Sequence, residues 1–259
     1  MSRSVRVALL WGVSALSLPI RSAADPVDVA NPPQGRFIDE WATVHLGGKK
    51  AGYYHSTVAR DGNMIRTAAD MHMRLGRVDM PVTISTQQST LETLAGAPVE
   101  FTSTLDMATM KTATKGTFKD GKVTLVHTQY GMEQTQTYEI NPASLMTWGM
   151  LRESLVRGFK PGTTYTMKVY APDLCQHRAI DTVTTVGEWE PVHNAGTSLR
   201  GQRITTLMES PVGNLEFVAW IDKDANTLAA RLPLPGLGNL EMIRVDESVA
   251  LADFVAPDL

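Results

Sequence analysis

The sequence predicts a mainly β protein: a large, curved antiparallel sheet, meandering and half-barrel-like, with one amphipathic helix packed on it, or two successive antiparallel sheets. Three observations predict this. Period-two alternation runs through short segments rich in Thr, Val, Tyr and Phe, Gly-, Asn- and Asp-containing turns separate them, and a single segment of the mature chain carries helical spacing.

The first 24 residues stand apart. Arg3 and Arg6, an apolar run from Val7 to Ile20, and Ser22-Ala23-Ala24 before Asp25-Pro26 form the three parts of a secretory signal peptide, with cleavage expected near Ala24. The expected location is therefore periplasmic or secreted. The apolar run is shorter than the roughly 20 residues a bilayer-crossing helix needs, and no later segment is continuously apolar for that length, so the mature chain is not expected to span a membrane. Residues 25–37, with Pro26, Asn31, Pro32, Pro33 and Gly35, read as a flexible spacer.

The β domain is expected over 38–250. Its first half, 38–140, opens with a hairpin of Glu40–Leu46 and Gly52–Arg60 around Gly47-Gly48-Lys49-Lys50, and turns again at Asp61-Gly62-Asn63. In Ala69–Leu75, Met71, Met73 and Leu75 share one face, Asp70, His72 and Arg74 the other, so one side is dry and one wet. Strands at 82–94, 99–107, 111–119, 122–129 and 133–140 continue the meander. A helix is expected over 142–158, with Asn141 as its cap, Pro142 in its first turn, Leu145, Trp148, Leu151 and Leu155 as its apolar stripe, and Gly158 at its close. The second half, 161–250, returns to β pattern, with a short helical turn at Asp246–Ala250. Residues 251–259 read as a loose tail.

Composition narrows the function. Without the signal, 21 basic residues face 27 acidic ones, a net charge near −6, and no Lys/Arg cluster is interleaved with aromatics, which argues against nucleic-acid binding. Cys175 is the sole cysteine, so no internal disulfide forms and no cysteine near the cleavage site carries a lipid. The fold has to rest on its core.

Cys175-Gln176-His177, with Asp173 and Asp181 nearby, holds the residue types of a thiol nucleophile activated by an imidazole. Its setting after Ala171-Pro172-Asp173-Leu174 reads as a turn at a hairpin tip rather than a cleft. Met71, His72 and Met73 are soft ligands, but a strand points the two methionines away from the histidine, and the six histidines have no zinc-site spacing, so neither a metal nor a cofactor is expected. The helix stripe offers more. Laid across a curved sheet with Met71, Met73 and Leu75, the residues Leu145, Trp148, Leu151 and Leu155 either complete the core or line an apolar cavity.

Several stretches, taken in order, resemble a known region. Glu40-Trp41, Leu46-Gly47-Gly48-Lys49-Lys50-Ala51-Gly52-Tyr53, Met73-Arg74-Leu75-Gly76-Arg77, Ala95-Gly96-Ala97-Pro98, Lys160-Pro161-Gly162-Thr163-Thr164-Tyr165 and Ala219-Trp220-Ile221-Asp222 resemble the β-rich region that precedes the transglutaminase-like core in some exported bacterial proteins. The core's own catalytic segment does not follow. The pattern is also similar, as architecture, to the curved-sheet carriers of lipids and lipoproteins in the bacterial periplasm. The function expected is an exported, non-catalytic β module that binds an apolar small molecule or lipid, or a partner protein of the cell envelope. The alternative is a thiol hydrolase, or an accessory polypeptide to a transglutaminase-like enzyme.

Overall fold

The computed structural model describes residues 27–76, 82–108, 110–194, 197–210, 213–234, 238–254 and 257. The expected signal peptide lies outside them. Tight turns set the register. Gly47-Gly48, Asp120-Gly121 and Tyr130-Gly131 each place two consecutive residues at positive φ between antiparallel strands, the geometry whose twist matches that of a hairpin. The strands are β1 (Gly35–Leu46), β2 (Lys49–Asp61), β3 (Met64–Leu75), β4 (Val82–Thr93), β5 (Pro98–Met107), β6 (Met110–Lys119), β7 (Lys122–Gln129) and β8 (Met132–Glu139). After a two-residue β9 (Ser144–Leu145) and helix α1 (Thr147–Arg157) come β10 (Thr164–Val169), β11 (Ile180–Asn194), β12 (Thr197–Ser210), β13 (Gly213–Ile221), β14 (Thr227–Leu234), β15 (Gly238–Val245) and α2 (Glu247–Leu251).

All fifteen strands form one open sheet in the order β8-β7-β6-β5-β4-β3-β2-β1-β15-β14-β13-β12-β11-β10-β9. The chain starts in the middle, meanders to one edge, crosses through α1 to the other edge, and returns until β15 pairs with β1. The expected curved antiparallel sheet is present, and the two halves share it. Among the described residues its one parallel pair is β9 with β10. Curvature brings distant strands onto one core: Met71 and Met73 of β3 and Leu105 of β5 cluster with Met167 of β10, Ile204 of β12 and Phe217 of β13.

Local expectations need correction in three places. The helix begins at Thr147, not 142. Asn141 caps no helix; its Oδ1 accepts the Ala143 N–H at 2.9 Å in a tight turn, and Leu145 belongs to β9. The spacer ends early, because β1 starts at Gly35 and Val29 and Phe37 pack against the cluster that holds Trp148. Residues at the start of the expected loose tail are held: Lys50 Nζ donates to the Val249 and Ala252 carbonyls at 2.9 and 2.7 Å, and lies over the Phe254 ring.

Candidate functional site

What fills the inner face of the sheet decides what the protein can bind. Helix α1 lacks a side-chain cap of its own, and Glu92 of β4 supplies one from across the core. Glu92, wholly buried, accepts the Trp148 N–H at 2.7 Å and the Thr90 hydroxyl at 2.8 Å through Oε1, and the Gly149 N–H at 2.8 Å through Oε2. Burial pushes its carboxyl above the usual range, and these hydrogen bonds, aligned with the positive end of the helix, oppose that. Trp148 Nε1 donates to the Leu94 carbonyl at 3.1 Å. The approach is close enough that a Cβ on Gly149 would lie 2.8 Å from the Gly96 carbonyl oxygen.

The seven residues expected around an apolar cavity divide between two clusters. Met71, Met73 and Leu75 are in the main core, with Leu145 packed at its margin. Trp148 and Leu151 sit in a separate cluster with Ile38, Val58 and Ile65, and Leu155 borders it. The residue that α1 sends into the main core is Met150, outside the expected stripe. It separates two chambers of about 20 Å³ each, one beside Tyr170 and Asp173, the other beside Tyr165, Ile204 and Phe217. Each has room for about one water molecule and for nothing larger. In this conformation the helix and its surroundings leave room for no ligand in either chamber.

The connection from β10 to β11 carries the residues singled out for catalysis. Cys175 is 4% exposed, with its Sγ 3.7 Å from Nδ1 of the exposed His177. The two nearby carboxylates are engaged elsewhere. Asp181 pairs with Lys168 at 2.5 Å on the neighbouring strand, and Asp173 reaches across the core to accept hydrogen bonds from Gln88 Nε2 and, at 3.2 Å, from the Ser103 hydroxyl. A nucleophilic thiol needs access and an oriented base; here the thiol is covered and neither carboxylate bonds the imidazole. In the native protein, alkylation of Cys175 is expected to run roughly a hundredfold slower than in denatured chain, because local opening must come first. Mass-spectrometric labelling measures this, and rapid labelling of the folded state would restore the nucleophile reading. Among the described residues no group of three His, Cys, Asp or Glu side chains could hold a metal ion.

Two outer features remain. A groove of about 200 Å³ runs between the start of β5, the β6–β7 turn and the connector after β8. Ala97, Pro98, Phe118, Ile140 and Pro142 give it apolar walls, and Lys119, Asp120 and Lys122 stand on its lining. Lys119 and Lys122 face each other across the Asp120-Gly121 turn, a like-charge pair that an isolated hairpin would avoid. The Ile140 N–H donates to the Gly121 carbonyl at 2.9 Å and fixes the connector against the turn. The second feature is β8, the long edge of the sheet, exposed along nearly its whole length.

Periodicity points to the apolar stripe on the helix face and not to this groove, whose walls come from three separated segments. The adjacent Pro142 and the Lys-Asp-Gly-Lys turn were its visible signals.

A family model described as protein of unknown function (DUF3108) matches residues 42–235. No curated protein matches the chain. Among solved structures, it is similar to a β-barrel-like protein of domain of unknown function DUF1849 from Brucella abortus, with a TM-score of 0.53 and 12% identity over 82% of this chain and 96% of that one. At that identity the likeness is one of fold.

Proposed function

We propose that this chain, which belongs to the DUF3108 family of proteins of unknown function, is a non-catalytic module that works outside the cytoplasm and binds an anionic amphiphile, its apolar part in the Phe118–Ile140 groove. The observation that carries this reading is the groove itself: apolar walls with two lysines and one aspartate on its lining. A site of about 200 Å³ is below the roughly 300 Å³ of ordinary small-molecule pockets, and suits a short length of acyl chain rather than a whole lipid. The lysines would hold a phosphate or carboxylate at the mouth, relieving their mutual repulsion. The export signal in residues 1–24 supports the location.

Titration with octyl phosphate below its micellar concentration, followed by amide shifts, tests the reading. Saturable changes are expected in residues 118–122 and 140–144, with octyl glucoside and inorganic phosphate each binding at least about tenfold more weakly, a difference of about 1.4 kcal/mol. The double substitution Lys119→Glu and Lys122→Glu is expected to cost a similar factor. Equal binding of octyl glucoside, or shifts confined to other surfaces, would sink it.

A further inference from the structure

The long edge of the sheet has a geometry of its own. Among the described residues, strand β8 pairs only with β7, whereas the opposite edge, β9, is two residues long. Residues Met132 to Thr137 are exposed on both faces of β8, with Met132 66% exposed and Tyr130 beside it 70%. Edge strands are usually guarded by lysine, proline, a bulge or a covering element. The sequence Met-Glu-Gln-Thr-Gln-Thr-Tyr-Glu contains neither lysine nor proline, and its register with β7 runs unbroken from Gln129↔Met132 to Lys122↔Glu139.

We infer that two copies of this chain pair through β8, antiparallel about a two-fold axis at Thr135. The two-residue turn makes Gln129 and Met132 the closing hydrogen-bonded pair, and the alternation that follows turns the backbone N–H and C=O of Glu133, Thr135, Thr137 and Glu139 outward. A symmetric pair must match outward groups with outward groups, so its axis falls on a residue. Centred on Thr135, the pairing sets Glu133 opposite Thr137, Gln134 opposite Gln136 and Met132 opposite Tyr138, each twice, with no like charges facing. One step toward the C-terminus, on Gln136, opposes Glu133 with Glu139 twice, which is unfavourable. One step toward the N-terminus, on Gln134, spends pairing positions on Tyr130 and Gly131, whose positive φ ends the strand. Charge and turn geometry together select Thr135.

An interface this short falls below the area of a standard stable complex, so the dimer is weak and concentration-dependent. Sedimentation of the full chain from about 5 to about 500 µM is expected to move from monomer to dimer. Thr135→Pro should abolish the dimer while leaving the urea midpoint of the monomer unchanged, since the N–H it removes points away from β7. Thr137→Lys, which places a lysine opposite Glu133 of the other copy, should tighten the dimer at least about threefold. A monomer at every concentration, a dimer indifferent to Thr135→Pro, or tightening by Glu139→Lys instead of Thr137→Lys would each overturn the proposal. So would capture of a foreign strand on β8 by a chain that never self-associates.

Discussion

Glu92→Ala is expected to lower the stability of the folded protein by about 3 kcal/mol and to loosen α1 from the sheet, as follows from removing one side of a buried, charge-assisted network. The substitution takes the acceptor from the Trp148 and Gly149 N–H groups and from the Thr90 hydroxyl at once. Each orphaned buried donor costs about 1–3 kcal/mol, and part of that is recovered because a carboxylate no longer has to be held away from water. Thr90 would also lose its role as intermediary, since its Oγ1 lies 2.7 Å from that of Thr67 on β3. Glu92→Gln keeps the shape but presents an N–H where an acceptor is needed, and about half the loss is expected. Urea unfolding gives the magnitude, and hydrogen exchange of residues 148–150 gives the location. An alanine variant within about 0.5 kcal/mol of the parent, the range of ordinary surface changes, would mean that Glu92 does not anchor the helix.

The contrast between Glu92 and the turns explains what was legible in the sequence. Gly47-Gly48 and Asp120-Gly121 announce hairpins because the φ they need is local, and the alternation of Met71, Met73 and Leu75 announces a buried face because strand period is local. The helix start was misplaced because its cap is 56 residues away in the chain; Asn141 and Pro142 are the right residue types in the wrong turn. Trp148 and Leu151 were expected on the apolar face and are buried. That Met150 enters the main core while Trp148 joins another follows from how closely Gly149 lets the helix approach Gly96, which period alone cannot express. The union of both halves through β1 and β15 was equally hidden, because alternation says which face is dry but not which strand lies alongside. For the site, composition pointed to Cys175 and His177, residues two apart. The groove draws its walls from segments near 97, 120 and 141, and the carboxylate that crosses the core, Asp173, finds partners 85 and 70 residues away.

That carboxylate sets the second large effect. Asp173 lines one of the small chambers beside Tyr170, and burial pushes its carboxyl up from 3.8 to about 7, with the hydrogen bond from Ser103 working against the rise. Its folded value lies above its unfolded one, so the folded protein holds the proton more tightly. The stability this group contributes is therefore complete below about 3.8 and is lost as pH rises through about 7. A full shift would be worth about 1.4 kcal/mol per unit, but Asp173 retains some surface, which reduces the effect to about 2 kcal/mol. Asp173→Asn removes the ionisation and keeps a neutral group that Gln88 and Ser103 can still meet. At pH 8 the asparagine variant is expected to be the more stable protein by about 2 kcal/mol, and at about pH 3, below the unfolded value, the gap should nearly close. The paired difference isolates this carboxyl from every other ionisable group, because parent and variant share all of them. Urea midpoints of parent and variant at the two pH values measure it. A difference that stays constant with pH would place the Asp173 carboxylate in water rather than in the chamber, and the β10–β11 connection would then not be docked on β4 and β5 through it.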